Sequence, residues 1–433
     1  MAKSRSGEMA VCLLFDNSGL GHTLFKIDLP PMHSIKNSKS SSSSSKPISV
    51  NPVLELSSSE YPYMMSCAQL GPKLYLFGGL IHKPPPSPPQ GKSKDELKME
   101  LLNHVLPRDV HIFDTTSTSM ELGAEMTSGK VNPIVFVSKG MIYVLSAGRT
   151  VSIELRWWFY HHKTKDWLDT GDLMGAVKLF ERYDPVANKW QVLDDSPLHS
   201  LSYLKGYLLL EDENQHKVVI TSGNVSHLVY DLDKDLWLSS SSLIPTSKAK
   251  DMLKLDDNGS CQYVGGFCYG VLPHHQVFRL GPFNLNKDVE SKLSNVKMSL
   301  VDSQDVLLLA PAMMGTSKLQ HLGGGYFILL SASPANDNLG IPQPITRKVM
   351  INILKEVLPT AGASTQVDTA SSFNAKIVFS QNYVCKMDFL CDGNFLSCFL
   401  VQSPVPTWTC QPKMIEVHEA FEGEALFRDV PDK

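Results

Sequence analysis

The densest group of chemistry-bearing side chains is the run Trp157-Trp158-Phe159-Tyr160-His161-His162, with Arg149 and Arg156 close by. Tryptophan, tyrosine and arginine are the residue types that anchor protein–protein contacts. Arg149, Arg156, Trp157 and Trp158 are therefore the candidate partner-binding residues. In a strand, adjacent Trp157 and Trp158 project to opposite faces, so one of them has to leave the core side. The histidine pairs His161-His162 and His274-His275 lack the i,i+4 helical spacing and the carboxylate neighbours of a recognisable metal-ligand set. The eight cysteines contain no CxxC pair. Cys261 and Cys268 flank a glycine pair, and Cys385, Cys391, Cys398 and Cys410 cluster late at spacings foreign to common zinc sites. Free cysteine at such positions packs as a small hydrophobe. Gly323-Gly324-Gly325 lacks the Lys-Ser/Thr that follows a phosphate loop. The expectation is a chain with no catalytic residue, no cofactor and no metal ligand.

Composition bounds the class. The chain has 433 residues, 42% of them hydrophobic, and 40 Lys+Arg stand against 44 Asp+Glu, a net charge of −4. That length can bury a sizeable core. The near balance of charge gives no reason to expect nucleic-acid binding. No apolar run reaches the ~18 residues of a membrane span. The apolar stretch from Met9 to Phe15 breaks at Asp16-Asn17, too early for a secretory signal. Reduced thiols and a cytoplasmic or nuclear location are expected.

Self-similarity at a fixed period is the strongest signal in the chain. A short apolar strand ends at glycine in Leu74–Gly79, Ile142–Gly148, Val218–Gly223, Cys261–Gly266 and Leu319–Gly324, and Ile377–Gln381 is a sixth copy without the glycines. A second pattern lies downstream: an aromatic, a polar residue, five residues, then a large apolar one. Tyr183-Asp184…Trp190 and Tyr230-Asp231…Trp237 are its clear cases, with Phe113-Asp114…Met120 and Tyr160-His161…Trp167 one substitution away. Met120 to Trp167 and Trp190 to Trp237 are both 47 residues. Asp184-Pro185 and Asn188 supply turn chemistry, and the tryptophan opens the next strand.

Glycine pairs after "LYLFGG", followed by "ERYDPVANKW" and "LVYDLDKDLW", resemble kelch repeats, and the style is similar to plant kelch-repeat proteins, many of which carry an F-box. The positions that carry the resemblance are Gly78, Gly79, Asp114, Gly148, Tyr183, Asp184, Trp190, Tyr230, Asp231, Trp237, Gly265 and Gly266. They cover residues 68–243 well and 250–400 weakly. The resemblance implies an all-β, six-bladed β-propeller, with seven blades as the alternative. The strands Val11–Phe15 and Thr23–Leu29, joined at Asn17-Ser18-Gly19, are expected to complete the last blade beside residues 376–402, which removes an exposed edge.

The domain plan has five parts. Residues 1–31 close the last blade, 32–60 form a Ser-rich loop around Ser40–Ser45, and 61–420 form the propeller. Its insertions are 81–107, with five prolines in 84–92 and a helix over Lys94–Val105, and 151–178, read as an extra hairpin. Residues 421–433 are a tail.

Propellers present loops on two rigid faces, and the fold alone does not fix a function. The resemblance implies a non-catalytic protein-interaction module, in which a protein partner is selected for a ubiquitin ligase or held on a scaffold. No F-box or BTB domain is visible in the sequence. The alternative is a metal-dependent enzyme or specifier acting in the propeller channel. Some plant kelch proteins, the specifiers of glucosinolate breakdown, carry an iron-binding Glu-x3-Asp-x3-His. The matching stretch here is Gln191-x3-Asp195-x3-His199, where an amide replaces the first carboxylate and makes a poorer ligand.

Overall fold

The computed structural model describes residues 8–16, 21–31, 35, 46–81, 93–161, 177–201, 203–211, 215–222, 227–238, 259–272, 276–281, 297–300, 316–333, 345–357, 374–387 and 395–403. Most of them are strand, arranged as antiparallel meanders. β1 (Glu8–Asp16), β2 (Gly21–Asp28), β3 (Ile48–Val50) and β4 (Pro52–Ser57) come first. β5 (Ser66–Leu70), β6 (Lys73–Phe77), β7 (Val110–Asp114) and β8 (Ser119–Leu122) form the first complete sheet. β9 (Ile134–Ser138), β10 (Met141–Leu145), β11 (Phe180–Asp184) and β12 (Lys189–Val192) form the second.

β13 (Leu204–Glu211), β14 (His216–Ser222), β15 (His227–Asp231) and β16 (Leu236–Leu238) form the third. β17 (Gly259–Val264), β18 (Phe267–Leu272), β19 (Gln276–Gly281) and β20 (Lys297–Leu300) form the fourth, joined to the third by a short parallel ladder between β13 and β17. β21 (Thr316–Gly323), β22 (Tyr326–Ala332), β23 (Ile345–Glu356) and β24 (Ala375–Met387) form the fifth, with β3 added in parallel on its edge. The sixth brings the last described strand beside the first ones, in the order β25 (Phe395–Ser403), β1, β2, β4.

The first strands lie side by side in sequence: β5 beside β9, β9 beside β13, β13 beside β17, β17 beside β21, β21 beside β25, and β25 beside β5. Side chains bridge several of these neighbours. Gln69 Nε2 donates to the Leu400 carbonyl at 2.6 Å, linking β5 to β25. Ser138 donates to Glu211 across β9 and β13, and Gln262 Oε1 accepts from the backbone N–H of His321 across β17 and β21. The cores lie between sheets. Leu14, Leu24, Met65, Cys67, Leu74 and Leu76 fill the seam between the sixth and first sheets.

In a four-stranded meander the connections 1–2 and 3–4 share one end. The 2–3 connection shares the other end with the links between sheets. Two helices described over their full length fall in 2–3 connections: α1 (Lys94–Val105) between β6 and β7, and α2 (Gly148–His161) between β10 and β11. α1 matches the sequence expectation because Ser93 and Glu96 close a capping box, with Glu96 N donating to Ser93 Oγ and Ser93 N to Glu96 Oε2 at 2.9 Å.

Several expectations need correction. Residues 148–161 are helix, so the first part of 151–178 is not a hairpin, and residues 162–176, with Trp167, lie outside the described residues. Val-Ser-Ile-Glu-Leu alternates like a strand, but Val151 and Leu155 also stand four apart, and both are buried on one side of a helix. Tyr160-His161 therefore does not end a strand. The loop assigned to 32–60 contains β3 and β4, the latter alternating inward Leu54 and Leu56 with outward Val53 and Glu55, while Ser40–Ser45 lie outside the described residues. β1 pairs with β25 and carries β2 in the same sheet, whereas β24 belongs to the fifth sheet. Ile377–Gln381 lies in β24, a fourth strand, and not in the second-strand position of Leu74–Gly79.

The glycine repeat divides into two kinds. Gly78 and Gly79 follow a second strand, with φ of 72° and 96°. A Cβ there would meet the carbonyl oxygens of Lys130 at 2.5 Å and Tyr63 at 2.4 Å. Gly265 and Gly266, with φ of 56° and 86°, form the two-residue turn between first and second strands. Gly324 and Gly325 do the same with φ of 54° and 74°. These are type I′ hairpins, which need positive φ at both central residues. Gly265-Gly266 is thus one strand out of step with Gly78-Gly79.

Candidate functional site

The end that carries the 2–3 connections is built on a shared core. Leu102, Val105 and Leu106 at the end of α1 pack in one cluster with Val151 and Leu155 of α2. Each insertion is tied at its base by a backbone bond, Ile81 N to Val105 O at 3.2 Å and Ser146 N to Leu179 O at 3.0 Å. A 3-10 turn, Ser196–Ser200, braces α2: Arg149 N donates to Leu201 O at 3.1 Å, and Gly148 lies directly against the backbone of His199. Met99 of α1 and Ile153 of α2 are 41% and 59% exposed. Arg149 is exposed in the first turn of α2, while Arg156, Trp157 and Trp158 occupy its later turns. Consecutive residues on a helix lie about 100° apart, so the opposite-face expectation for Trp157 and Trp158 does not apply.

Beneath this surface lies a buried charge pair that sequence reading missed. Lys130 and Glu181 are both fully enclosed and in direct contact. Glu181 also accepts from Thr127 N at 2.8 Å and Ser128 N at 3.0 Å, and Lys130 donates to Ser128 O at 3.1 Å. Burial pulls the Lys130 ammonium below its ordinary range, and Glu181 and Asp195 oppose that pull. The pair pins the link between the first two sheets onto β11, and the Lys130 carbonyl accepts from Gly79 N at 2.7 Å. Neither side chain reaches solvent, so neither can meet a substrate. A lone Lys and a lone Glu 51 residues apart carry no periodic signal that would have found them.

The repeat motif is structural chemistry. Asp114, Asp184 and Asp231 end third strands, and each carboxylate accepts from the backbone of the following turn. The donors are Thr116 and Ser117, Val186 and Ala187, and Asp233 and Lys234, at 2.8 to 3.2 Å. Four residues after each aspartate the backbone turns left-handed, at Thr118, Asn188 and Asp235, with φ of 54°, 51° and 52°. Asn and Asp tolerate that region, and the position then returns the chain as a fourth strand. Tyr183 donates its hydroxyl to Asn188 at 2.7 Å, and Tyr183 and Tyr230 pack on Trp190 and Trp237 with ring centres 5.0 and 4.9 Å apart.

The metal-like spacing does not assemble. Asp195 meets His199 Nε2 at 3.3 Å and accepts from Leu179 N at 2.7 Å, but Gln191 turns its amide oxygen to Arg182 at 2.7 Å. His161 is the last residue of α2, and His274-His275 lie outside the described residues. Cys261, Cys268 and Cys385 are buried thiols, the first and last pushed up to about 12 by burial. Cys391 and Cys410 lie outside the described residues. Among the described residues no group of three or more His, Cys, Asp or Glu is placed to hold a metal, and no helix is long and apolar enough to cross a membrane.

Neither a known family profile nor a curated protein matches the chain. A solved structure described as "Structure of YjhT" aligns over 82% of this chain and 90% of that one, at 13% identity and a TM-score of 0.38. A similarity at that score carries no statement about fold or function.

Proposed function

We propose that the chain is a six-bladed kelch-type β-propeller that acts as a non-catalytic protein-interaction module and receives its partner on the end bearing α1 and α2. The observation that carries this is the placement of both helical insertions at one end over one core, with Met99, Arg149 and Ile153 exposed. Rigidly seated insertions offer a partner a preorganised surface. Six four-stranded meanders and the lateral sequence of first strands, which returns from β25 to β5, support six blades. The helical conformation of 148–161 argues against a truncated seventh blade there. A role in selecting substrates for ubiquitin ligases rests on the kelch resemblance.

The test is affinity purification of the tagged full chain from its source cells, beside a variant carrying Met99→Asp, Arg149→Glu and Ile153→Asp. Cullin-type or other partners that bind the wild type and are lost from the folded variant are expected. Partners retained by the variant would move the interface elsewhere. A chain that enriches no protein but carries stoichiometric iron or copper would overturn the proposal in favour of a metal-dependent activity.

A further inference from the structure

The helical phase of α2 defines a surface stripe. Successive residues advance by about 100° around the axis, so positions 149, 153, 156 and 160 fall within an arc of about 60°, and position 157 lies about 40° beyond position 153. On that arc Arg149 and Ile153 are exposed, and on the opposite arc Val151 and Leu155 are fully buried. Position 158 falls beside 151 and 155. The stripe is therefore formed by the positions of Arg149, Ile153, Arg156 and Tyr160, with Trp157 at its margin, and Trp158 is not part of it.

The charge at the head of this stripe is unbalanced. Arg149 stands in the first turn, where the free backbone N–H groups already present positive charge and an acidic residue is the favourable choice. No acidic residue occupies that turn, and among the described residues no carboxylate is placed against the Arg149 guanidinium. His199, in the 3-10 turn that packs on Gly148, adds an exposed imidazole at the same end of the helix. The Asp195 carboxylate beside it is taken up by His199 and by Leu179 N. Glu154, the one acid of α2, lies on the flank of the stripe and is half-buried, and Glu96 of α1 closes its own capping box. A cation at the positive end of a helix carries a cost that an incoming anion removes.

We infer that the protein partner is recognised through an acidic side chain seated against Arg149 at the N-terminal end of α2, with a large apolar side chain beside it on Ile153; this rests on the reading of the α1–α2 end as an interaction surface. The arginine selects charge, and the isoleucine one turn further along the same face excludes water from the contact, which strengthens the ion pair. Residues four apart on a helix stand about 6 Å from each other at Cβ. The partner segment therefore carries Asp or Glu three or four residues from its apolar residue where it is helical, and two residues from it where it is extended.

Random peptides displayed on phage and selected on the immobilised full chain test this. The selected sequences should pair Asp or Glu with a large apolar residue at one of those spacings. Synthetic copies, titrated by fluorescence anisotropy, should lose at least about tenfold in affinity for Arg149→Glu and for Ile153→Asp. They should lose none for Lys189→Glu, an exposed residue at the opposite end beside a 3–4 turn. Replacing the acid of the peptide by lysine should restore binding to Arg149→Glu. Glutamate suits the first turn of a helix, so Arg149→Glu should unfold at the wild-type midpoint or above it. A lower midpoint would make Arg149 a structural residue and overturn the inference. The Arg149→Glu arm suffices by itself if Ile153→Asp does not fold. Selected peptides that lack acidic residues yet lose affinity for Ile153→Asp would overturn acidic recognition while leaving the interaction surface in place. Peptides indifferent to both variants, or no selected peptide, would overturn the inference, and the affinity purification then decides whether the surface itself stands.

Discussion

Trp237 donates its indole N–H to the carbonyl of Asp194 at 2.6 Å, and Asp194 lies four residues beyond Trp190. Trp190 makes the same bond to Ala124 at 2.8 Å, four residues beyond Met120. Each fourth-strand aromatic is thus tied to the chain leaving the fourth strand of the sheet before it. Trp190 also meets Phe77 of the first sheet edge-on at 5.9 Å, and Trp237 meets Phe180 of the second at 5.6 Å. The 47-residue spacing of the tryptophans is the spacing of an inter-sheet joint.

Trp190→Ala and Trp237→Ala should each destabilise the chain by ~3 kcal/mol, the low end for a large aromatic because both rings are only half-buried. Trp→Phe at either site isolates the indole bond and should cost ~1 kcal/mol. Urea unfolding measures both, and equal midpoints for wild type and both alanine variants would remove these residues from the joint.

Lys130→Met strands the Glu181 carboxylate in a closed interior and should cost ~3–5 kcal/mol. The double variant Lys130→Met/Glu181→Gln removes both charges while keeping an acceptor for Thr127 N and Ser128 N, and it should recover most of that loss. A double-mutant cycle by chemical denaturation reads the coupling, and additive losses would mean the charges act independently.

The two kinds of glycine should respond differently. Gly79→Ala drives a Cβ into the Tyr63 carbonyl and the Pro62 side chain, so it should lower the unfolding midpoint markedly. Gly265→Asn puts a residue that accepts left-handed backbone where no atom lies within 4 Å, and it should cost under ~1 kcal/mol. Equal losses at the two sites would contradict the assignment of Gly265 to a hairpin turn.

His321 stacks beside Phe327 at 5.0 Å, and burial holds its imidazole down to about 4. A depressed histidine contributes its stability above the unfolded value near ~6.5 and loses it as pH falls towards 4. His321→Leu should therefore remove ~2–3 kcal/mol of the stability difference between pH 7 and 4.5. An unchanged difference would show that His321 is solvated in the folded chain.

Much of the strand framework was legible because its chemistry is local. Asp184 and Asp231 announce turns by accepting from the two residues that follow, Asn188 supplies the left-handed step, and α1 writes its own start in Ser93 and Glu96. The apolar run from Val11 to Phe15 marked a strand of the sixth sheet, although of the residues 376–402 expected beside it only those of β25 joined that sheet. Local pattern failed where two periods coexist. Val151 and Leu155 suit a strand or a helix equally, and only the core shared with α1 decides for helix. It failed again at Gly265, since a glycine after an apolar run reads the same whether the chain turns back or leaves the sheet. The pair Lys130–Glu181 was invisible for another reason. Its effect arises from exclusion of water, and solvent exclusion is a property of the packed sheets that no short stretch of sequence carries.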